Sequence, residues 1–143
     1  MNLIHFWTCL SIAAVAACAT ARADDVRVLP WDEPTEVGGY ELACTGVGDE
    51  ARNDPRWPAY ALRLEFANRN AEYLSDVDVT LSDEAGKALF TVRCQSPWLL
   101  AKVPPGKYTV TGTFKDITKT EKVKAPKSGQ ARFVVRFPEI TGD

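Results

Sequence analysis

Apolar and polar residues alternate along most of this chain, in runs too short for amphipathic helices. A period of two sends successive side chains to opposite faces of a strand. Residues 40–45 put Tyr40, Leu42 and Cys44 on one face and Glu41, Ala43 and Thr45 on the other. Residues 60–67 set Tyr60, Leu62, Leu64 and Phe66 against Ala61, Arg63, Glu65 and Ala67. Residues 74–82 turn Val77, Val79 and Leu81 inward and Asp76, Asp78 and Thr80 outward. Residues 88–94 gather Ala88, Phe90, Val92 and Cys94 on one parity. Residues 97–114 read as a hairpin: a strand, a Pro104-Pro105-Gly106 turn, and a second strand with Tyr108, Val110, Gly112 and Phe114 inward. In that turn Gly106 lets the chain reverse and the prolines stiffen its entry. Tyr108 can bury its ring and turn its hydroxyl to a backbone group, as a tyrosine corner does. Residues 118–124 are polar and basic, consistent with an edge strand whose lysines oppose edge-to-edge association. Residues 130–137 close the chain with Ala131, Phe133, Val135 and Phe137 inward.

The breaks between these runs are equally informative. Gly46-Val47-Gly48 ends the first strand, and Asp49-Glu50 follows. Acids just after a glycine suit the first turn of a helix, and Pro55 and Pro58 confine that helix to a turn or two. Residues 83–87, with Gly86, supply a hairpin turn. About seven strands at short spacing imply an all-β fold: an antiparallel, seven-stranded β-sandwich with one short helix after the first strand. That domain is expected over residues 40–143. Residues 24–39 hold two prolines and two glycines without a clear period. They are expected to form an extended arm, with a short edge strand at residues 26–29.

The first 23 residues differ from the rest. An apolar run over residues 10–20 ends in Ala21-Arg22-Ala23 and meets Asp24-Asp25. That is the form of a secretory signal peptide cleaved after Ala23, although residues 1–8 lack the usual Lys or Arg. Two other readings stay open. Val15-Ala16-Ala17-Cys18 has the form of a lipobox, which would anchor the protein to a membrane through Cys18; alternatively the run is a short anchor or buried helix. The expected location is periplasmic or secreted, with a lipid-anchored envelope protein as the alternative.

Removing 23 of the 143 residues leaves 120, one domain of ordinary size. It also leaves two of the four cysteines, Cys44 and Cys94. An even pair in an exported domain suggests one disulfide, and both fall on the apolar faces of their strands; two separate buried thiols are the alternative.

Charge is unevenly spread. Residues 24–101 carry 7 basic and 15 acidic groups, and residues 102–137 carry 9 and 2. The basic stretch offers Lys119, Lys122 and Lys124 as a surface for an acidic partner, against the plainer reading of a solvated edge. Trp57, Tyr60 and Trp98 are candidates for an exposed aromatic platform that stacks on sugars, against a core or loop-anchoring role. Trp98, between Pro97 and Leu99, is the one more expected to be exposed.

Catalytic chemistry is poorly supplied. The only histidine, His5, lies in the leader, which removes Ser-His-Asp and Cys-His catalysis and most zinc sites from the remaining chain. Asp49, Glu50 and Asp54 could serve as acid and base, but helix N-terminal acids are the commoner use. Asp76, Asp78, Asp83 and Glu84 could bind calcium weakly, without EF-hand spacing. No cofactor or metal is expected.

A resemblance adds to this reading. Residues 77–81 (VDVTL), Asp83 to Gly86, residues 100–103, and Pro105-Gly106-Lys107-Tyr108-Thr109-Val110 match a strand, D-x-x-G, strand, L-x-P-G-x-Y-x-V pattern, except that Val103-Pro104 occupies the approach to the Pro-Gly. In this the chain resembles the carboxypeptidase regulatory-like domains, which are transthyretin-like (prealbumin-like) Greek-key sandwiches, and small exported bacterial proteins of that type. The resemblance implies an accessory or adhesive module and makes Pro105, Gly106 and Tyr108 structural turn residues. The expected function is a non-catalytic exported binding or interaction module. Its partner would be an unidentified envelope protein or glycan, not nucleic acid. A carbohydrate- or weak calcium-binding envelope module is the alternative.

Overall fold

The computed structural model describes residues 26–138. The leader, Ala23, Cys18 and the expectations attached to them lie outside the described residues. Ten strands form two five-stranded sheets: β1 (Arg27–Val28), β2 (Thr35–Val37), β3 (Tyr40–Thr45), β4 (Leu62–Asn68), β5 (Val77–Asp83), β6 (Ala88–Cys94), β7 (Trp98–Ala101), β8 (Gly106–Phe114), β9 (Ile117–Ala125) and β10 (Ala131–Phe137). One sheet has the order β1-β6-β5-β8-β9, the other β10-β4-β7-β3-β2. A single helical turn, α1 (Asp49–Arg52), and a 3-10 turn, Trp57–Ala59, follow β3. This is an all-β, sandwich-like fold with its short helix where the sequence places it.

The core fills the space between the sheets. Leu42, Leu62, Leu64, Phe66 and Leu99 from one sheet meet Val77, Val79, Leu81, Phe90, Val92 and Val110 from the other. Cys44 on β3 and Cys94 on β6 form a disulfide, so the bond ties one sheet to the other. Both residues are fully buried.

Three departures from the sequence reading have physical causes. Ten strands form rather than seven: β1 falls within the short edge strand expected at residues 26–29, whereas the three-residue β2 is too short to show a period. These two lie in the stretch expected to be an arm, and they sit at the same edge of the two sheets. Leu29, between them, is 1% exposed and belongs to the core. Second, the sheets are not wholly antiparallel: β1 runs parallel to β6 and β10 parallel to β4.

Third, residues 97–114 are not a hairpin. β7 pairs with β3 and β4, whereas β8 pairs with β5 and β9, so this segment crosses from one sheet to the other. Pro104 and Pro105 have no N–H to continue a ladder, and β7, central between β3 and β4, is buried on both faces. Gly106 opens β8, opposite Ala125, rather than reversing the chain. Tyr108 does behave as expected: its hydroxyl donates to the Pro104 carbonyl at 2.6 Å.

Candidate functional site

Two regions gather the residues singled out in the sequence. The first is the outer face of the β10-β4-β7-β3-β2 sheet. Residues 46–60 fold over it, and Trp57 and Tyr60 pack against Ala43 and Leu100 as a second, smaller core. Tyr60 therefore belongs to this outer cluster and not to the inward face of β4, because β4 starts only at Leu62. Trp57 is 3% exposed, and its indole N–H donates to the Ala51 carbonyl at 2.7 Å. Burial pushes the Tyr60 phenol up to about 12, aided by Glu41, to which its hydroxyl donates at 3.2 Å.

Trp98 is 6% exposed, so neither tryptophan offers an open stacking platform. On β7 the side chain of Trp98 points to the outer face, but residue 46 lies against its ring. Gly46 holds φ at 109°, and a Cβ there would stand 2.6 Å from Trp98 Cγ. The Arg63 guanidinium lies 4.4 Å from the Trp98 ring centroid. Among the described residues the solvent-exposed tryptophan is instead Trp31, at 58%.

A buried charge anchors the neighbouring strands. Glu65 on β4 is 1% exposed and accepts from Arg63, from Tyr73 and, through both carboxylate oxygens, from Arg132. Burial opposes its ionisation, but the hydrogen bond and charge of Arg132, with Arg63 and Tyr73, hold its pKa below the usual carboxylate range. Alternation alone assigned Glu65 to solvent. Its burial follows from the parallel register that sets Arg132 opposite Arg63, with Val134 opposite Glu65. A lone Glu between Leu64 and Phe66 was the only hint in the sequence.

Beside this network, Arg52, Asn53, Asp54, Pro55, Trp57, Pro58, Arg63, Trp98 and Gln130 line a cavity of about 240 Å³. Asp54 is held by Arg56 in a short ion pair, which keeps its carboxyl below the usual range. Asp49 and Glu50 are exposed in α1.

The second region is the β8–β9 end of the other sheet. Lys107 stands opposite Lys124, and Thr109 opposite Lys122. With Glu84, Tyr108, Val123 and Phe133 they line a groove of about 500 Å³. Lys124 also borders a hollow of about 540 Å³ formed with Pro105, Gly106, Ala125, Pro126 and Lys127. None of Lys107, Lys122, Lys124 and Lys127 forms an ion pair among the described residues.

Lys119 does not join them. It pairs with Gly112 and shares the parity of Val123, on the opposite face of β9 from Lys122 and Lys124. The other basic residues scatter: Lys102 binds Glu41, Arg132 binds Glu65, and Lys115 lies over Phe114. Among the acids considered for calcium, Asp78 is gripped by Arg93 through both oxygens, and Asp83 accepts from the Lys87 backbone N–H. No cluster of three or more potential metal ligands occurs among the described residues.

No protein-family model matches the chain, and no curated protein is significantly similar to it.

Proposed function

We propose that this protein is a non-catalytic, exported binding module of the cell envelope that recognises an acidic partner through the basic end of β8 and β9. The observation that carries this is the group of four lysines, Lys107, Lys122, Lys124 and Lys127, around two adjoining hollows: none is in an ion pair among the described residues, and Glu84 is the one acid in the lining. Like charges gathered without partners cost stability through mutual repulsion, and such a cluster is explained most simply by a polyanion that neutralises it. The motif over residues 77–110 supports kinship with the carboxypeptidase regulatory-like, prealbumin-like sandwiches, which fits an accessory role. The absence of histidine after His5 and the engagement of Asp54 and Asp78 by arginines support a binding rather than a catalytic role.

Calorimetric titration of the purified protein with heparin and with polyglutamate tests this. Saturable binding that weakens with salt and is lost in a Lys122→Glu/Lys124→Glu variant supports it. No binding of either polymer, or binding that the variant leaves unchanged, refutes it.

A further inference from the structure

We infer that the cavity between residues 52–58 and Trp98 is a binding site for a small sugar acid, a single pyranose ring carrying a carboxylate. This site lies on the other sheet from the lysine groove and stands independently of it.

The first observation is the donor set. In both guanidiniums that line the cavity, the fold uses Nε: Arg52 donates to the Gly46 carbonyl at 2.9 Å, and Arg63 to Glu65 at 3.1 Å. The Nη nitrogens of Arg52 and Arg63 carry no hydrogen bond to a described residue. A guanidinium offers a planar fork that suits a carboxylate better than a point charge does.

The second observation is Trp98. It is 6% exposed, lines the cavity, and its Nε1 is buried without an acceptor among the described residues. An indole N–H can only donate, and leaving a buried donor unpaired costs on the order of 1–3 kcal/mol. Nε1 has no exposed surface, so a ligand oxygen would meet that need by displacing the side chains that cover the indole edge. The two observations agree in sign: the arginines and the indole N–H call for an acceptor, and Asp54, the one acid in the lining, is taken up by Arg56.

Size and walls select the rest of the ligand. At about 240 Å³ the cavity is smaller than the ~300–1,000 Å³ of drug-sized sites and admits one ring rather than a chain. Trp57, Pro55 and Pro58 supply flat apolar walls. Asn53 and Gln130 supply amide groups; the Gln130 amide nitrogen is spent on the Trp57 and Tyr60 carbonyls, which leaves its oxygen to accept from a hydroxyl. An apolar face with hydroxyls at its rim is the surface of a pyranose.

The test is a titration of the purified protein with D-glucuronate, D-glucose and inorganic sulfate. It is followed by calorimetry and by the Trp98 indole N–H resonance, assigned through Trp98→Phe. Glucuronate should bind saturably, at least about tenfold more tightly than glucose or sulfate, and should shift that resonance. Arg52→Gln, a surface change, should weaken binding about fivefold or more, and Trp98→Phe should do likewise while keeping the ring in place. The inference is overturned if glucuronate fails to saturate or leaves the Trp98 resonance unmoved. Sulfate binding as tightly as glucuronate, or an Arg52→Gln variant that folds and binds unchanged, also overturns it.

Discussion

Breaking the Cys44–Cys94 bond should cost this domain about 4 kcal/mol. The bond joins positions 50 residues apart. In the chain-entropy account, closing a loop of that length removes about 14 cal/mol/K from the unfolded chain, which is about 4 kcal/mol at room temperature. Reduction removes no core atoms, and the two thiols need only move apart to van der Waals contact, so it comes nearest to measuring that contribution; Cys44→Ala/Cys94→Ala also removes core atoms and should cost about 1–2 kcal/mol more. For a unit of roughly 110 residues the unfolding entropy is about 0.23 kcal/mol/K, so Tm should fall by about 17 °C on reduction. Urea unfolding followed by tryptophan fluorescence, on oxidised protein and on protein reduced while unfolded and then refolded, measures the difference directly. Because both cysteines are fully buried, reductant should act on the folded protein only as fast as it opens. A loss under about 1 kcal/mol, or rapid reduction of the folded protein under native conditions, would refute the view of the bond as a buried tie between sheets.

Three further tests probe separate parts of the fold. Gly46→Ala places a Cβ against the Trp98 ring at a positive φ, and should cost about 2–3 kcal/mol by thermal unfolding; a neutral result would mean that the contact is not tight. Tyr108→Phe removes the hydrogen bond to the Pro104 carbonyl and should cost about 0.5–1.5 kcal/mol without altering the sheet content seen by circular dichroism. The pKa of Glu65 is lowered on folding, so ionised Glu65 contributes stability that is complete above its unfolded value and is lost as pH falls through its folded one. The stability gap between the protein and Glu65→Gln should therefore be constant near neutral pH and close in acid. A gap that widens in acid would contradict the assignment.

The fold class was legible because the long strands keep a strict period of two: β5, β6 and β8 turn Val79, Val92 and Val110 to the core as their alternation requires. The disulfide was legible for the same reason, since parity placed both cysteines inward. What was not legible depends on pairing between distant segments. Alternation cannot say which sheet a strand joins, so β7 and β8 read as a hairpin although they belong to different sheets. It also assumes that the outer face is wet. Here residues 46–60 cover that face around Trp57, Trp98 and Tyr60, and Arg132, brought in on β10, makes Glu65 the centre of a buried ion-pair network instead of a solvated acid. The basic stretch was visible as composition, but its division was not. Strand parity separates Lys119 from Lys122 and Lys124, and the turn into β8 brings Lys107 to the latter two.

The position of the proposed polyanion site is tested most directly by mapping backbone amide shifts during a heparin titration of the purified, isotope-labelled protein. The account predicts shifts concentrated at residues 106–109, 122–125 and 127, abolished in Lys122→Glu/Lys124→Glu. Shifts spread evenly over the surface, or centred on Lys119 and the other face of β9, would contradict it.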